Sequence, residues 1–344
     1  MSWTIEPLAG GGLGAFAPEW DALNRRLLAG HPFADTRFVD PLLRHFGRGS
    51  ERLLVHRDDG RIDGMLLLER RPRGAWRPFL PSQLQAAPVL LTDRSTIDTL
   101  FRALPSLCLS VEFHRQDPRY CVDGLLAPGP KCRVEPHATT MEVALDGTFE
   151  AYWNERSKNL AKNIKRYQRR VETEGGGSRF VVVERPEDMR EAVARYGLLE
   201  SAGWKQAAGT AVHIDNPQGR FYAEVLEQFA ATGHGRVYEL WFADRLAASR
   251  LVISGAGMHI ILKTSYDESL SQFAPGRLLL YALLERAFAE RSQRAVEFYT
   301  DATQDQLAWA TASRTISHSA YFRHAWIAAV HDAWRRRQRA QPAA

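Results

Sequence analysis

The order of elements over residues 236–300 constrains the fold more than any other feature of this chain. GRVYELWFADRLAASRLVIS alternates apolar and polar positions on both sides of ADR and reads as a hairpin. GMHIILKTSYD is a further strand, SLSQFAPGR a polar loop, LLLYALLERAF a helix that is apolar on nearly every side, and AVEFYT a closing strand. A helix with so little polar surface has to be covered, and strands on both sides of it in sequence supply the sheet that covers it. The expectation is a helix packed on a sheet, with Pro275, Gly276 and Arg277 at its mouth.

The remaining segments continue the alternation. PEWDALNRRLL and FVDPLLRHFG carry apolar residues at helical spacing, and ERLLVHRDDGRIDGMLLLERR reads as two strands joined by a DDG turn. PRGAWRPFLPSQLQAAP is too rich in proline for regular structure, and LAPGPKCRVEPH, at 126–137, reads as the crossing between two domains. TTMEVAL is then a short strand, and FEAYWNERSKNLAKNIKRYQRRVETE one long helix stopped by Gly175, Gly176 and Gly177. SRFVVVE, PEDMREAVARYGLLESAGW and RFYAEVLEQFAATG add a strand and two helices. The reading is α+β (mixed α/β), with domains at 1–138 and 139–330 and a basic tail at 331–344. A hairpin with a polar turn near the centre of each half, DDGRIDG and ADRLAAS, points to two copies of one fold.

With 344 residues and 45% hydrophobic content, each domain can fill a core. The net charge of +5 is concentrated in SKNLAKNIKRYQRR (157–170) and WRRRQR (334–339). Such clusters suit an anionic partner: a phosphate-bearing cofactor, tRNA or membrane headgroups. No apolar run reaches the roughly 20 residues that span a bilayer, and MSWTIEPLAGGG lacks the basic start of a signal peptide, so a cytoplasmic location is expected. The tail HAWIAAVHDAWRRRQR is amphipathic and suits peripheral contact with the inner face of a membrane. Three cysteines without a CxxC pair and eleven scattered histidines give no reason to expect a metal.

Taken together, EWDAL, PFADTRFVDPLLRHFG, SKNLAKNIKRYQRRVETEGG, GWKQAAGTA, LKTSYDESLSQFAPGRLLL and FYTD with the following Trp309 span most of residues 18–310. In these motifs the chain resembles the CelD/FemAB-like branch of the GNAT acyltransferase superfamily, which pairs two GNAT-like domains. The resemblance implies transfer of an acyl group, usually acetyl from acetyl-CoA or else from another acyl-CoA. The acceptor it implies is an amine of an amino sugar or other cell-envelope or exopolysaccharide precursor, small or lipid-linked. Two alternatives accompany it. One is a Fem-like transferase whose donor is aminoacyl-tRNA, the only reading that brings in a nucleic acid. The other is a degenerate GNAT fold that binds and regulates polysaccharide synthesis. The usual pyrophosphate signature, two close glycines after Arg or Gln, is reduced here to PGR.

The chemistry assigns candidate roles. Free amides and the dipole at a helix N-terminus hold a pyrophosphate, which places Pro275, Gly276, Arg277 and Leu278 at the cofactor: Pro275 sets the entry angle, Gly276 permits close approach and Arg277 adds charge. Acyl transfer to an amine needs a base and a proton donor for the thiolate, roles suited to Asp267 and to Tyr266 or Tyr299. Lys263, ending an apolar run, is expected to meet an anionic substrate group. Trp204 and Lys205 are expected over a sugar and its phosphate carrier, with Asp301 and Trp309 at the same end of the sheet.

Overall fold

The computed structural model describes residues 2–8, 11–202 and 212–340. They form two compact units, Met1–Ala138 with Thr315–Ala344, and Thr139–Arg314.

The first unit contains β1 (Ser2–Pro7), α1 (Ala17–Leu28), α2 (Thr36–Phe46), β2 (Glu51–Asp58), β3 (Arg61–Arg70), β4 (Ala75–Pro78), β5 (Leu90–Leu91), α3 (Thr96–Ala103) and β6 (Ser110–Gln116). Its sheet runs β1-β2-β3-β4-β6, with β5 on β3, antiparallel except for the β4–β6 pair. The DDG turn works because Asp59 and Gly60 both take positive φ, 45° and 80°, the backbone that matches the twist of a two-residue hairpin. Trp3, Leu54, Leu100 and Phe113 are among the side chains that fill the core beneath α3.

The chain leaves this unit within β7 (Cys132–Ala144) and returns within β13 (Ala312–Phe322). Between them lie α4 (Phe149–Asn154), α5 (Lys158–Glu174), β8 (Ser178–Val183), α6 (Met189–Ala202), α7 (Pro217–Ala230), β9 (Gly235–Phe242), β10 (Arg245–Gly255), β11 (Met258–Tyr266), α8 (Pro275–Glu290), β12 (Ala295–Glu297) and α9 (Gln304–Leu307). The second unit's sheet runs β7-β12-β11-β10-β9-β8, and only β11 and β12 are parallel. Each unit thus holds a mixed run of strands flanked by helices. α8 supplies Leu279, Leu283, Leu284 and Phe288 to a core shared with Ile164 and Val171 of α5 and Val252 of β10. Each such side chain contributes about 1.5–3 kcal/mol on burial, enough to fix α8 on the sheet.

Three expectations are corrected. The single long helix over 149–174 is two, because Ser157 takes extended backbone and its Oγ accepts the Leu160 amide at 3.2 Å, a new N-cap. The proposed crossing at 126–137 is already strand from Cys132 onward. Residues 315–344 belong to the first unit, not to a domain ending at 330 with a separate tail. The reason is pairing: β13 lies antiparallel to β6 from Ser317–Gln116 to Phe322–Ser110, and the next helix, α10 (Ala325–Ala340), packs Ile327 and Ala328 on Phe322.

Candidate acyl-transfer site

The second unit's parallel pair parts early. β11 and β12 pair only at Met258–Ala295, His259–Val296 and Ile260–Glu297, and β11 then runs on through Tyr266 without β12. Opposite, the β10 register jumps between Leu251–Lys263 and Val252–Ile261, so Leu262 is the extra residue of a β-bulge. A bulge bends and twists its strand locally, here within the stretch that lacks β12. The chain leaves β11, forms a 3-10 turn over Glu268–Phe273 and enters α8 through Ala274, whose φ of 50° is left-handed.

At the helix mouth, Pro275 is buried and has no amide, while the amides of Arg277 and Leu278 both reach the Ala274 carbonyl at 3.0 and 3.2 Å. Leu278 is a core residue, so its predicted place at a cofactor is corrected: its side chain packs inward and its amide is engaged. Gly276 has ordinary helical backbone, and a Cβ there would sit 3.5 Å from Tyr266 Cδ1, a normal contact. Neither backbone conformation nor crowding within the chain calls for glycine at this position, and glycine inside a helix costs roughly 0.5–1 kcal/mol relative to alanine. Tyr266 is exposed beside it, and Arg277 pairs with Asp305.

Beneath the mouth, β10 places Arg250, which is buried and donates Nη2 to the Gly276 carbonyl at 3.3 Å, while its Nε has no partner among the described residues. Burial lowers its guanidinium to about 10, and among the described residues no carboxylate pairs with it. Near the end of β11, Lys263 reaches Glu200 of α6 at 3.3 Å and lies over the Tyr222 ring at 5.9 Å. Glu200 is buried, and it also accepts the Tyr196 hydroxyl at 3.4 Å and the Val212 amide at 2.6 Å. Lys263 is thus paired, where the sequence argument left it seeking an external anion.

The predicted base also has structural work. Asp267 caps the 3-10 turn, accepting Ser269 N at 3.0 Å and Ser269 Oγ at 2.7 Å, and meets Arg245 at 2.5 Å. Tyr299 is buried, has a φ of 42° and lies 5.5 Å under the Arg314 guanidinium. Asp301 accepts the Thr139 amide at 3.2 Å, and Thr303 rather than Asp301 caps α9. Trp309 is corrected from a substrate contact to a core residue, 3% exposed and 5.6 Å from the Trp153 ring. Trp204 and Lys205 lie outside the described residues. The structure therefore brings Tyr266, Gly276 and Arg277 together at one mouth, with Asp267 on the adjoining loop, and leaves Trp309 and Leu278 in the core.

Two groups escaped the sequence argument. Arg250 sits in SRLVIS and Glu297 in AVEFYT, each a lone charge inside an apolar strand run, which was the available signal. Glu297 is completely buried at the end of β12, accepts Thr140 Oγ1 at 2.8 Å and the Phe298 and Tyr299 amides at 3.0 and 3.1 Å, and meets Arg314 at 2.7 Å. Burial raises its carboxyl above the ordinary range, and Arg314 opposes that shift. An apolar pocket in the first unit, lined by Trp20, Phe33, Leu42, Met65 and Phe113 among others, has no titratable group in its wall and offers nothing for proton transfer. Among the described residues no group of three or more His, Cys, Asp or Glu is placed to hold a metal ion.

Residues 158–309, from the start of α5 to Trp309, match the model of the acetyltransferase (GNAT) domain family, a stretch that lies within the second unit. No curated protein matches the chain. Among solved structures, the crystal structure of FemX is similar over 94% of this chain and 97% of its own, at 10% identity and a TM-score of 0.60. L-PGS from Bacillus licheniformis is similar over 92% and 94%, at 13% identity and a TM-score of 0.57. A conserved protein of unknown function from Bacteroides thetaiotaomicron VPI-5482 covers 90% and 97%, at 10% identity and a TM-score of 0.55. At such identities the likeness is one of fold, and it extends over both units.

Proposed function

We propose that the chain is an acyl-CoA-dependent N-acyltransferase of the CelD-type branch, moving acetyl or a longer acyl group directly onto an amine of an amino sugar or other cell-envelope or exopolysaccharide precursor. The observation that carries this reading is Gly276: a glycine without an internal reason, in the first turn of α8, beside an exposed tyrosine and over a buried, carboxylate-free arginine. A pyrophosphate fits this set, because a side chain at 276 would occupy the space it needs and Arg250 and Arg277 supply positive charge. Coenzyme A, when bound, supplies the thioester that is attacked.

The residues then divide the work. The Gly276 amide and Arg277 hold the donor. Tyr266, at the end of β11 and against Gly276, is the proton donor to the leaving thiolate. Asp267 positions the loop through its cap and Arg245 rather than moving protons. The Glu200–Lys263 pair borders the acceptor side, its carboxylate placed to attract an ammonium group. Buried Glu297 holds the point where β12 turns away from β11, with Tyr299 behind it.

The test is mass spectrometry of an amine acceptor library incubated with acetyl-CoA and longer acyl-CoAs. Acyl transfer to an amino sugar or envelope precursor supports the reading, and CoA binding without transfer to any amine supports the degenerate regulatory alternative. One observation favours a second donor. Lys158, Lys162, Lys165, Arg166 and Arg169 are all exposed on α5, a basic face suited to an extended polyanion. Fem-like use of aminoacyl-tRNA predicts transfer from charged tRNA in the same incubations.

A further inference from the structure

Seven large apolar side chains are well exposed among the described residues, and five of them, Leu107, Leu109, Trp326, Val330 and Trp334, belong to the first unit. Monomeric proteins scatter such residues singly; a contiguous group marks a surface that meets something apolar. Three of these repeat every four residues along α10 and form one stripe, 65%, 61% and 45% exposed, while Ile327 and Ala328 on another side are buried. The remaining two are tied to the same end of the unit. Gly74 packs against the Leu107 carbonyl and the Leu109 side chain, and the neighbouring Arg73 guanidinium lies 5.9 Å from the Trp334 ring. Arg323, just before α10, donates to the carbonyls of Leu104, Pro105 and Cys108 and receives no carboxylate. The apolar loop at 104–109 is thereby fastened to the root of the tryptophan-bearing helix.

The charges around the patch that have no ion-pair partner among the described residues are all positive. Among the described residues no acid pairs with Arg73, Arg336 or Arg337, while Arg335 pairs with Glu135 and the one acid on the helix, Asp332, pairs with Arg133. We infer that this face of the first unit docks on an anionic phospholipid bilayer, with Trp326, Val330, Trp334 and Leu107 entering the headgroup region and Arg73, Arg336 and Arg337 meeting lipid phosphates. Tryptophan suits that depth because its ring is apolar and its indole N–H needs a polar neighbour, and each basic group near an anionic surface adds to binding until salt screens it. Pairing with a second copy is disfavoured by the same charges, since a two-fold contact would bring one arginine set onto its duplicate. Among the described residues no helix is long and apolar enough to cross a membrane, so the contact is peripheral. This inference stands apart from the acyl-transfer reading, because none of these residues belongs to the second unit.

The test is co-sedimentation of the full chain with vesicles of phosphatidylcholine alone and of phosphatidylcholine mixed equally with phosphatidylglycerol, with tryptophan emission recorded in parallel. Binding to the anionic vesicles only, a blue shift on binding, and reversal by salt are expected. Trp326→Ala with Trp334→Ala should weaken partitioning about tenfold or more, and Arg336→Glu with Arg337→Glu should remove its salt dependence. These positions are exposed, so an unchanged thermal melt separates lost binding from lost fold. Equal binding to neutral vesicles by wild type and the arginine variant, no binding to either, or concentration-dependent self-association abolished by the tryptophan variant without vesicle binding would each overturn the inference.

Discussion

Arg250 donates through Nη2 to the carbonyl of Gly276, at 3.3 Å, and among the described residues its Nε has no partner under the first turn of α8. A buried cation held by one neutral acceptor is expensive to desolvate, and it gains most from an anion at the same helix end. Replacing it by methionine, of similar volume, removes that cost. Arg250→Met is expected to leave the melting temperature unchanged or raise it while weakening CoA binding about tenfold or more, the loss of a charge-assisted contact. Thermal melts and calorimetry on the same preparation check both halves.

Asp267→Ala tests whether this carboxylate is structural. Loss of the cap on Ser269 and of the Arg245 pair should lower stability by about 1 kcal/mol, with kcat at saturating acceptor unchanged. A collapse of kcat with unchanged stability would restore Asp267 to the role of base.

At the end of β12, Arg314 faces two buried carboxylates, Glu297 at 2.7 Å and Glu142 at 3.4 Å. Removing the cation takes this charge partner from both. Arg314→Met is expected to cost about 3–5 kcal/mol in urea titration, and adding Glu297→Gln should recover a large part of it.

His259 on β11 shares a 2.7 Å hydrogen bond between its Nδ1 and Ser254 Oγ. Burial, with the nearby Arg236 charge, lowers its imidazole from 6.5 to about 4. The folded state therefore resists a proton that the unfolded chain accepts near 6.5, so the associated stability is complete above that pH and is lost as pH falls through about 4. Burial and the neighbouring His114 and His137 rings shift His318 in the same direction, also to about 4. Urea midpoints measured between pH 7 and pH 4 should fall, and His259→Asn should make that fall shallower.

Elements with strong local periodicity were legible in the sequence: the hairpins, β11, and α8 with Pro275 and Gly276 at its mouth. What local pattern could not carry was pairing across long separations. β13 alternates like any strand, and only its partner β6, some two hundred residues earlier, assigns 315–344 to the first unit. A similar gap explains the site. Trp309 read as a substrate contact because nothing local announces that Trp153 and Tyr152 enclose it. Lys263 read as unpaired because Glu200 lies 63 residues away on another element. Arg250 and Glu297 were visible as charges in apolar strands, but strand position alone does not tell which is satisfied and which is left facing a ligand.

The most direct test of the central claim sets Gly276→Ala against wild type in calorimetric titration with CoA, alongside thermal melts. The account predicts that wild type binds in the micromolar range with strong salt dependence. It predicts that the variant is more stable by about 0.5–1 kcal/mol, as alanine replaces glycine in a helix, yet binds CoA several-fold more weakly because the new methyl stands where the pyrophosphate approaches. No binding of CoA by wild type, or equal affinity in a stabilised variant, would contradict it.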